Sequence, residues 1–193
     1  MTARRLLPLA CATLLALGGC ATLKQLAVLR TVTFALTDVS DVRVAGVRIT
    51  EGSSFTRLSV ADAARLGAAV AAKNVPLELI AHVGATNPRE NTVAAHMVGL
   101  DWSLFIEDRR MLSGKLERIV AIEPGETADV PLAVRLDLLS LGGGGARDLY
   151  NLALAVAGKG PVQKEFRVEL APTIETPIGP MRFPAPVVVR RAP

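Results

Sequence analysis

The sequence has few of the residues from which metal, redox and nucleic-acid sites are built. Its 193 residues include two cysteines, two histidines, one tryptophan and one tyrosine, and aromatic residues make up 4% of the chain. So few cysteines and histidines argue against an all-protein zinc site, and we expect no metal and no cofactor. The scarcity of aromatic rings argues against a stacking platform for single-stranded nucleic acid.

Apolar residues, by contrast, are abundant. Half of the chain is hydrophobic, which excludes a disordered or fibrous protein. The length corresponds to about one domain, since domains run to roughly 100–200 residues. We therefore expect a folded chain with a sizeable apolar core.

The first twenty residues have the plan of an export signal. Arg4 and Arg5 precede an apolar run from Leu6 to Leu17. That run is shorter than the ~20 residues needed to span a bilayer, so it predicts a secretory signal peptide rather than a membrane span.

The run ends in the sequence Leu-Gly-Gly-Cys at residues 17–20. This segment resembles a bacterial lipobox, which implies cleavage between Gly19 and Cys20 and acylation of the Cys20 thiol. The alternative is an ordinary signal peptide in which Cys20 is incidental. Ala21, in place of Asp, favours the outer membrane, with the protein facing the periplasm and held there by its acyl chains.

These features divide the chain into a signal peptide at 1–19, a lipidated tether at 20–30 and a single domain at 31–190. Removal of the signal takes away Arg4, Arg5 and Cys11. It leaves 20 Lys and Arg against 18 Asp and Glu, a net charge of +2. We therefore expect no nucleic-acid partner and no disulfide.

The mature chain is dominated by alternating apolar and polar residues, which predict short half-buried strands. Many short strands without regular helices between them favour an antiparallel β-sandwich over a parallel sheet. The predicted strands are 31–49 in two pieces bent near Asp38–Asp41, then 77–85, 92–106, 115–122 and 128–138, and two or three closing strands within 163–189.

Two segments predict helices. In 59–73, Ser59 is a helix cap, and a stripe of small apolar residues is predicted to pack against a sheet. A second, short helix is predicted at about 146–157. The stripe comprises Val60, Ala64, Gly67, Val70 and Ala71.

The order of several motifs resembles the late embryogenesis abundant (LEA) type 2 family, also called the water stress and hypersensitive response (WHy) domain. A strand ends in Asn87-Pro88, an alternating strand follows, and then come a Pro-Gly turn and a Val-Pro strand. Arg89 departs from the Asn that is frequent there. The resemblance implies a fibronectin-III- or immunoglobulin-like sandwich with one packed helix, an association with desiccation stress, and no catalytic residues. The motifs lie at 79–91, 98–106, 122–127, 130–132 and 176–184.

The Asn87-Pro88 pair has a local physical explanation. An Asn side chain can hydrogen-bond the backbone nearby, and Pro fixes φ near −65° while extending the residue before it. We predict a structural corner rather than a ligand site.

None of the other polar candidate residues is assigned a catalytic role. His82 and His96 are predicted to be solvated strand residues, since the sequence has no Gly-x-Ser-x-Gly elbow. Glu107 and Asp108 would point to opposite sides of an extended strand, so they are a poor pair for general acid–base catalysis. Trp102 is assigned to the core. Asp38 and Asp41 are assigned to a turn, with weak calcium binding as the alternative, and residues 142–145 are assigned to a linker. Arg109-Arg110 and Arg190-Arg191 are assigned to solvated basic clusters, with contact to lipid headgroups or to an acidic partner as the alternative.

We therefore expect no enzyme and no catalytic residue. The predicted function is that of a membrane-anchored binding or protective module in envelope or desiccation stress. One alternative is a periplasmic carrier of lipid or another apolar ligand, with a cavity beside Ala64, Gly67, Ala68 and Ala71. Another is a structural subunit of an envelope complex.

Overall fold

The structure is a computed structural model that describes residues 31–106, 108–142, 145–160, 166–175 and 179–190. The predicted signal peptide, the Gly19–Cys20 cleavage site and the tether at 20–30 lie outside these residues, as do Glu107 and Arg191. The strands are β1 (Thr33–Val44), β2 (Val47–Arg48), β3 (Pro76–Thr86), β4 (Ala95–Ile106), β5 (Arg109–Leu116), β6 (Val120–Ile122), β7 (Thr127–Asp137), β8 (Phe166–Ile174), β9 (Met181–Arg182) and β10 (Val187–Arg190).

These strands form two antiparallel sheets. The first has the order β2-β1-β3-β7, and the second has the order β10-β8-β4-β5, with β6 paired to β4 and β9 paired to β8. One continuous core contains buried residues from both sheets. The predicted antiparallel β-sandwich is therefore confirmed.

The two-residue period explains why these strands form. Along β3, Leu77, Leu79, Ala81 and Val83 are buried while the residues between them are half-buried. Successive side chains point to opposite faces of a strand, so one face of each sheet enters the core. Full burial of a Leu or Val side chain contributes about 1.5–3 kcal/mol, which fixes the register against a one-residue slip.

Strand β1 corrects one prediction. Asp38–Asp41 does not form a turn, because β1 runs without a break from Thr33 to Val44. The irregularity that the polar residues suggested is instead taken up by two shifts of register against β3, the second between Ser40 and Arg43. The chain turns later, at Ala45 and Gly46, whose φ values of 47° and 78° suit a tight hairpin.

The predicted strand at 115–122 is not continuous but belongs to two strands. Strand β5, which ends at Leu116, pairs with residues 100–106 of β4. Strand β6 (Val120–Ile122) pairs with residues 95–97 of β4. The residues between them, 117–119, are exposed and leave the sheet.

Helix α1 (Val60–Ala71) is present, and the Ser59 hydroxyl accepts a hydrogen bond from the Asp62 backbone N–H. The predicted packing stripe is wrong for four of its five residues, since only Val70 is half-buried against the core. Val60 is 89% exposed, and a side chain at Gly67 would meet only open space. Leu66 is the buried residue of this helix.

Helix α2 (Ala146–Ala157) confirms the second predicted helix and contributes far more to the core. Its buried residues include Leu149, Tyr150 and Leu154. The Tyr150 ring meets the Phe55 ring edge-on at 6.0 Å. Neither helix is long and apolar enough to cross a membrane, and this holds for every helix among the described residues.

Candidate functional site

The Asn87 corner lies where β3 ends. Asn87 is fully buried and is the one buried polar side chain in the described part of the chain. Its amide nitrogen donates to the backbone carbonyls of Val93, at 3.1 Å, and Ile122, at 2.8 Å, and its amide oxygen accepts from the Asn91 side chain. All of these groups belong to the chain itself, so the geometry gives Asn87 a structural role.

The backbone of the corner is tied to the turn before β7. The Asn87 N–H donates to the Glu126 carbonyl at 3.0 Å, and the Gly125 N–H donates to the Asn87 carbonyl at 2.7 Å. Gly125 has φ of 83°, and a side chain there would collide with Arg89. Arg89, the departure from the LEA type 2 pattern, therefore covers the turn that Asn87 holds.

A groove of about 820 Å³ crosses the outer face of the six-stranded sheet. Outward-facing residues of β4 and β8 form its floor, β5 lies on one side, and the segment 182–186 lies on the other. This volume is within the range of about 300–1,000 Å³ that is usual for ligand sites. The lining residues are Asp101, Trp102, Ser103, Phe105, Arg110, Ser113, Gly114, Lys115, Glu169, Ala171, Arg182, Phe183, Pro184 and Pro186.

A row of arginines runs across the end of this groove. In strand register, Arg190 lies opposite Arg167, Arg167 opposite Phe105, and Phe105 opposite Arg110. We call Arg190, Arg167 and Arg110 the arginine row. The Arg167 guanidinium lies 4.0 Å from the centre of the Phe105 ring, close enough for a cation–π interaction.

The members of the row differ in their partners. Arg167 contacts the carboxylates of Glu169 and, at 3.3 Å, Asp108, while its buried Nε has no hydrogen-bond partner among the described residues. Arg110 is exposed and donates to the neutral Ser103 hydroxyl at 2.9 Å. No ion pair between Arg110 and a carboxylate occurs within the described ranges.

The other charges of the groove are largely balanced. Arg182 lies 3.0 Å from the Asp101 carboxylate. Lys115 lies 2.7 Å from Glu117, and the hydrogen bond between them raises the pKa of Lys115 and lowers the pKa of Glu117. The cation left to attract a ligand is therefore Arg110, at the β5 edge.

Trp102 forms part of the core rather than an anchor for ligands. It is 8% exposed, and its indole ring lies directly against Gly114, the residue opposite it on β5. A Cβ at position 114 would come within 2.5 Å of the ring. Gly114 is therefore required by the close approach of this side chain.

A second polar cluster lies on the outer face of the four-stranded sheet. The His82 Nε2 atom is 2.8 Å from the Ser40 hydroxyl, and its Nδ1 atom is 2.8 Å from a carboxylate oxygen of Asp129. Ser40 is on β1, His82 on β3 and Asp129 on β7. We call these three residues the serine–histidine–aspartate chain.

His82 was predicted to be solvated, and its side chain is in fact 25% exposed and bonded at both ring nitrogens. His96, at the start of β4, is exposed. Asp38 and Asp41 are part of β1 rather than a turn. No cluster of three metal-ligating side chains occurs among the residues that the structure describes.

Asp108 occupies a turn with φ of 62°, and Arg109 and Arg110 begin β5. Gly142 follows a short 3-10 helix with φ of 94°, while Gly143 and Gly144 of the predicted linker lie outside the described residues. Sequence reasoning missed Ser40, Asp129, Arg167 and Phe105 as site residues. Only strand register could have found them, since each meets its partner across neighbouring strands.

No family model matches the sequence, and no curated protein matches it. Several solved structures have a similar chain trace. A crystal structure of a protein from Archaeoglobus fulgidus is 15% identical, with a TM-score of 0.36, and covers 80% of this chain and 93% of that one. A solution structure from Arabidopsis thaliana is 17% identical, with a TM-score of 0.39, and covers 62% of this chain and 70% of that one.

A further solution structure is of a protein provisionally assigned as a late embryogenesis abundant (LEA) protein. It is 13% identical, with a TM-score of 0.42, and covers 94% of this chain and 81% of that one. With every TM-score below 0.5, these likenesses assign neither a family nor an activity to this chain.

Proposed function

We propose that the chain is a lipid-anchored binding module whose groove holds an acidic, extended segment of an envelope protein. The observation that carries this proposal is the arginine row at the end of the groove. In it, Arg110 stands at an exposed strand edge and contacts a neutral hydroxyl instead of a carboxylate. An acidic side chain of a partner would supply the missing counter-charge.

The edge position of β5 favours an extended partner. Strand β5 pairs with β4 on one side and has no strand partner on the other within the described residues. Such an edge can accept a further strand, whose main chain completes the hydrogen bonds and whose alternate side chains reach the neighbouring face. That face here is the groove, with Phe105 at its floor.

The direct test is binding of a fluorescent ten-residue glutamate peptide to the full chain. We expect Arg110→Glu to weaken binding about tenfold, because it removes an attraction and adds a repulsion at an exposed site, which together are worth about 1–1.5 kcal/mol. Affinity should also fall as salt is raised through the physiological range.

Arg43→Glu is the matched control, since Arg43 is an exposed arginine on β1, in the other sheet. If both variants lose the same affinity for the peptide, the loss reflects the net charge of the protein, and the assignment of binding to this groove is overturned. Preferential binding to anionic vesicles, with no binding of the peptide, would replace the protein partner by a lipid headgroup.

The membrane anchor is the second part of the proposal. It is supported by the order of features at the N-terminus: a basic start, an apolar run, two small residues and Cys20. A thioether-linked diacylglycerol and a further acyl chain together suffice for stable anchoring. The association with envelope or desiccation stress is supported by the motif order around Asn87-Pro88 alone.

Fractionation of cells tests the anchor. We expect Cys20→Ala to move the protein from the outer-membrane fraction to the soluble fraction or to the inner membrane as an uncleaved precursor. Cys11→Ala provides the control, because Cys11 lies within the predicted signal and should leave the localisation unchanged. Retention of the Cys20→Ala protein in the outer membrane would contradict lipidation at this residue.

A further inference from the structure

The serine–histidine–aspartate chain has the connectivity of a nucleophile, a base and an orienting carboxylate. The hydroxyl of Ser40 meets Nε2 of His82, and the carboxylate of Asp129 meets Nδ1, each at 2.8 Å. This order of atoms is the one that activates serine in acyl-transfer enzymes on unrelated folds, where it is recognised by geometry and not by sequence position.

The direction of both hydrogen bonds follows from the chemistry of the groups. An ionised carboxylate can only accept, so Nδ1 of His82 carries the proton that is donated to Asp129. In the neutral ring Nε2 is then an acceptor, and the Ser40 hydroxyl donates to it. His82 is therefore held in the tautomer that can remove the Ser40 proton.

The backbone around Ser40 adds a second, independent feature. Ser40 is the last β1 residue in register with β3 before the chain skips Asp41 and Val42 and resumes at Arg43. Asp41 has φ of 48°, a conformation that is uncommon for residues other than glycine. Bulges of this kind re-aim side chains and occur often beside functional sites.

We infer that Ser40 is an activated nucleophile that accepts acyl groups from activated esters. In the step, the Ser40 oxygen bonds to the ester carbonyl carbon while its proton passes to Nε2 of His82. The bond between the carbonyl carbon and the oxygen of the leaving alcohol then breaks, and this oxygen takes the proton from His82. A water molecule reverses the sequence to release the acid and restore Ser40.

The surroundings restrict the class of substrate. Ser40 and His82 are half-buried, Asp129 has 55% of its side chain exposed, and all three lie on an open sheet face. Loss of one oxyanion donor costs about 10²- to 10³-fold in acyl transfer, and an open face offers few fixed donors. We therefore assign esters with good leaving groups and not amides.

This inference goes beyond the proposed binding function and opposes our expectation that neither histidine has a chemical role. The groove and the serine–histidine–aspartate chain lie on different sheets of the sandwich. Either proposal can therefore fail without the other, and a peptide-binding defect says nothing about Ser40.

The test is covalent labelling of the full chain, purified in detergent, with a fluorophosphonate probe, and peptide mass spectrometry then locates the label. A second assay measures the rate at which the same protein hydrolyses p-nitrophenyl acetate. We expect the label on Ser40 and complete loss of labelling in Ser40→Ala. His82→Gln should slow labelling by at least about 100-fold, the lower end of what a general base supplies. Asp129→Asn should slow it by at least about tenfold.

His96→Gln and Asp38→Asn are the matched controls. His96 is the other histidine, and Asp38 lies opposite His82 in strand register without a hydrogen bond to its ring among the contacts described. Both variants should be labelled at the wild-type rate, and thermal unfolding confirms that every variant is folded. Absence of label on Ser40, or a labelling rate unchanged by His82→Gln, overturns the inference.

Discussion

Replacement of Asn87 by Ala is expected to lower the free energy of unfolding by about 3 kcal/mol. The substitution removes the donor to two backbone carbonyls, those of Val93 and Ile122, and the acceptor for the Asn91 amide. Each buried group left without a partner costs about 1–3 kcal/mol, and relaxation around Ala recovers part of the sum. Urea unfolding of the two proteins measures the difference.

Two further variants separate the hydrogen bonds from the shape of the side chain. Asn87→Asp keeps the shape but cannot donate from an ionised carboxylate, so it should be at least as destabilising as Asn87→Ala. Asn74→Ala, at an exposed asparagine after α1, should stay within about 0.5 kcal/mol of the wild type. A loss below 1 kcal/mol for Asn87→Ala would refute the structural role of the corner.

The longer core strands could be predicted because one face of each is buried and the other is not. In β7 the buried residues Val130, Leu132, Val134 and Leu136 follow the two-residue period without interruption. The strand predicted at 115–122 is interrupted, because residues 117–119 leave the sheet. Periodicity reports which side of the chain is apolar, and it carries no information on pairing.

The serine–histidine–aspartate chain and the arginine row could not be predicted from the sequence, because both depend on how the strands pair. Ser40 is 42 residues from His82, and Asp129 is 47 residues from it, so only the registers of β1, β3 and β7 bring them together. The bulge after Ser40 also shifts which β1 residue faces His82. The arginine row depends likewise on the registers of four strands.

The helices show how composition can mislead. Sequence reasoning placed the stripe around Val60 and Gly67 against a sheet, since small apolar residues permit close packing. In the structure Val70 is half-buried against the core, whereas the other members of the stripe are exposed and Leu66 is the fully buried residue of α1. The larger side chains of α2, including Tyr150 and Leu149, fill the core instead. The larger side chains of α2 remove more apolar area from water than the small side chains of α1, which explains why α2 is the more deeply buried helix.

Leu66→Ala should therefore lower the free energy of unfolding by about 3 kcal/mol. Leu66 is fully buried, and truncation of a buried Leu costs about 2–5 kcal/mol through lost burial and the cavity left behind. Since Leu66 is the buried contact of α1, the helix should also exchange its amide hydrogens faster in this variant. Chemical denaturation and hydrogen exchange measure the two effects.

Val60→Ala tests the opposite orientation of the same helix. Val60 is 89% exposed, so its truncation removes almost no packing, and the higher helix propensity of Ala should leave stability unchanged or slightly raised. If α1 instead packed through the stripe that the sequence suggested, Val60→Ala would be the costly change and Leu66→Ala the neutral one. The sign of the difference between these two variants therefore decides which face of α1 meets the sandwich.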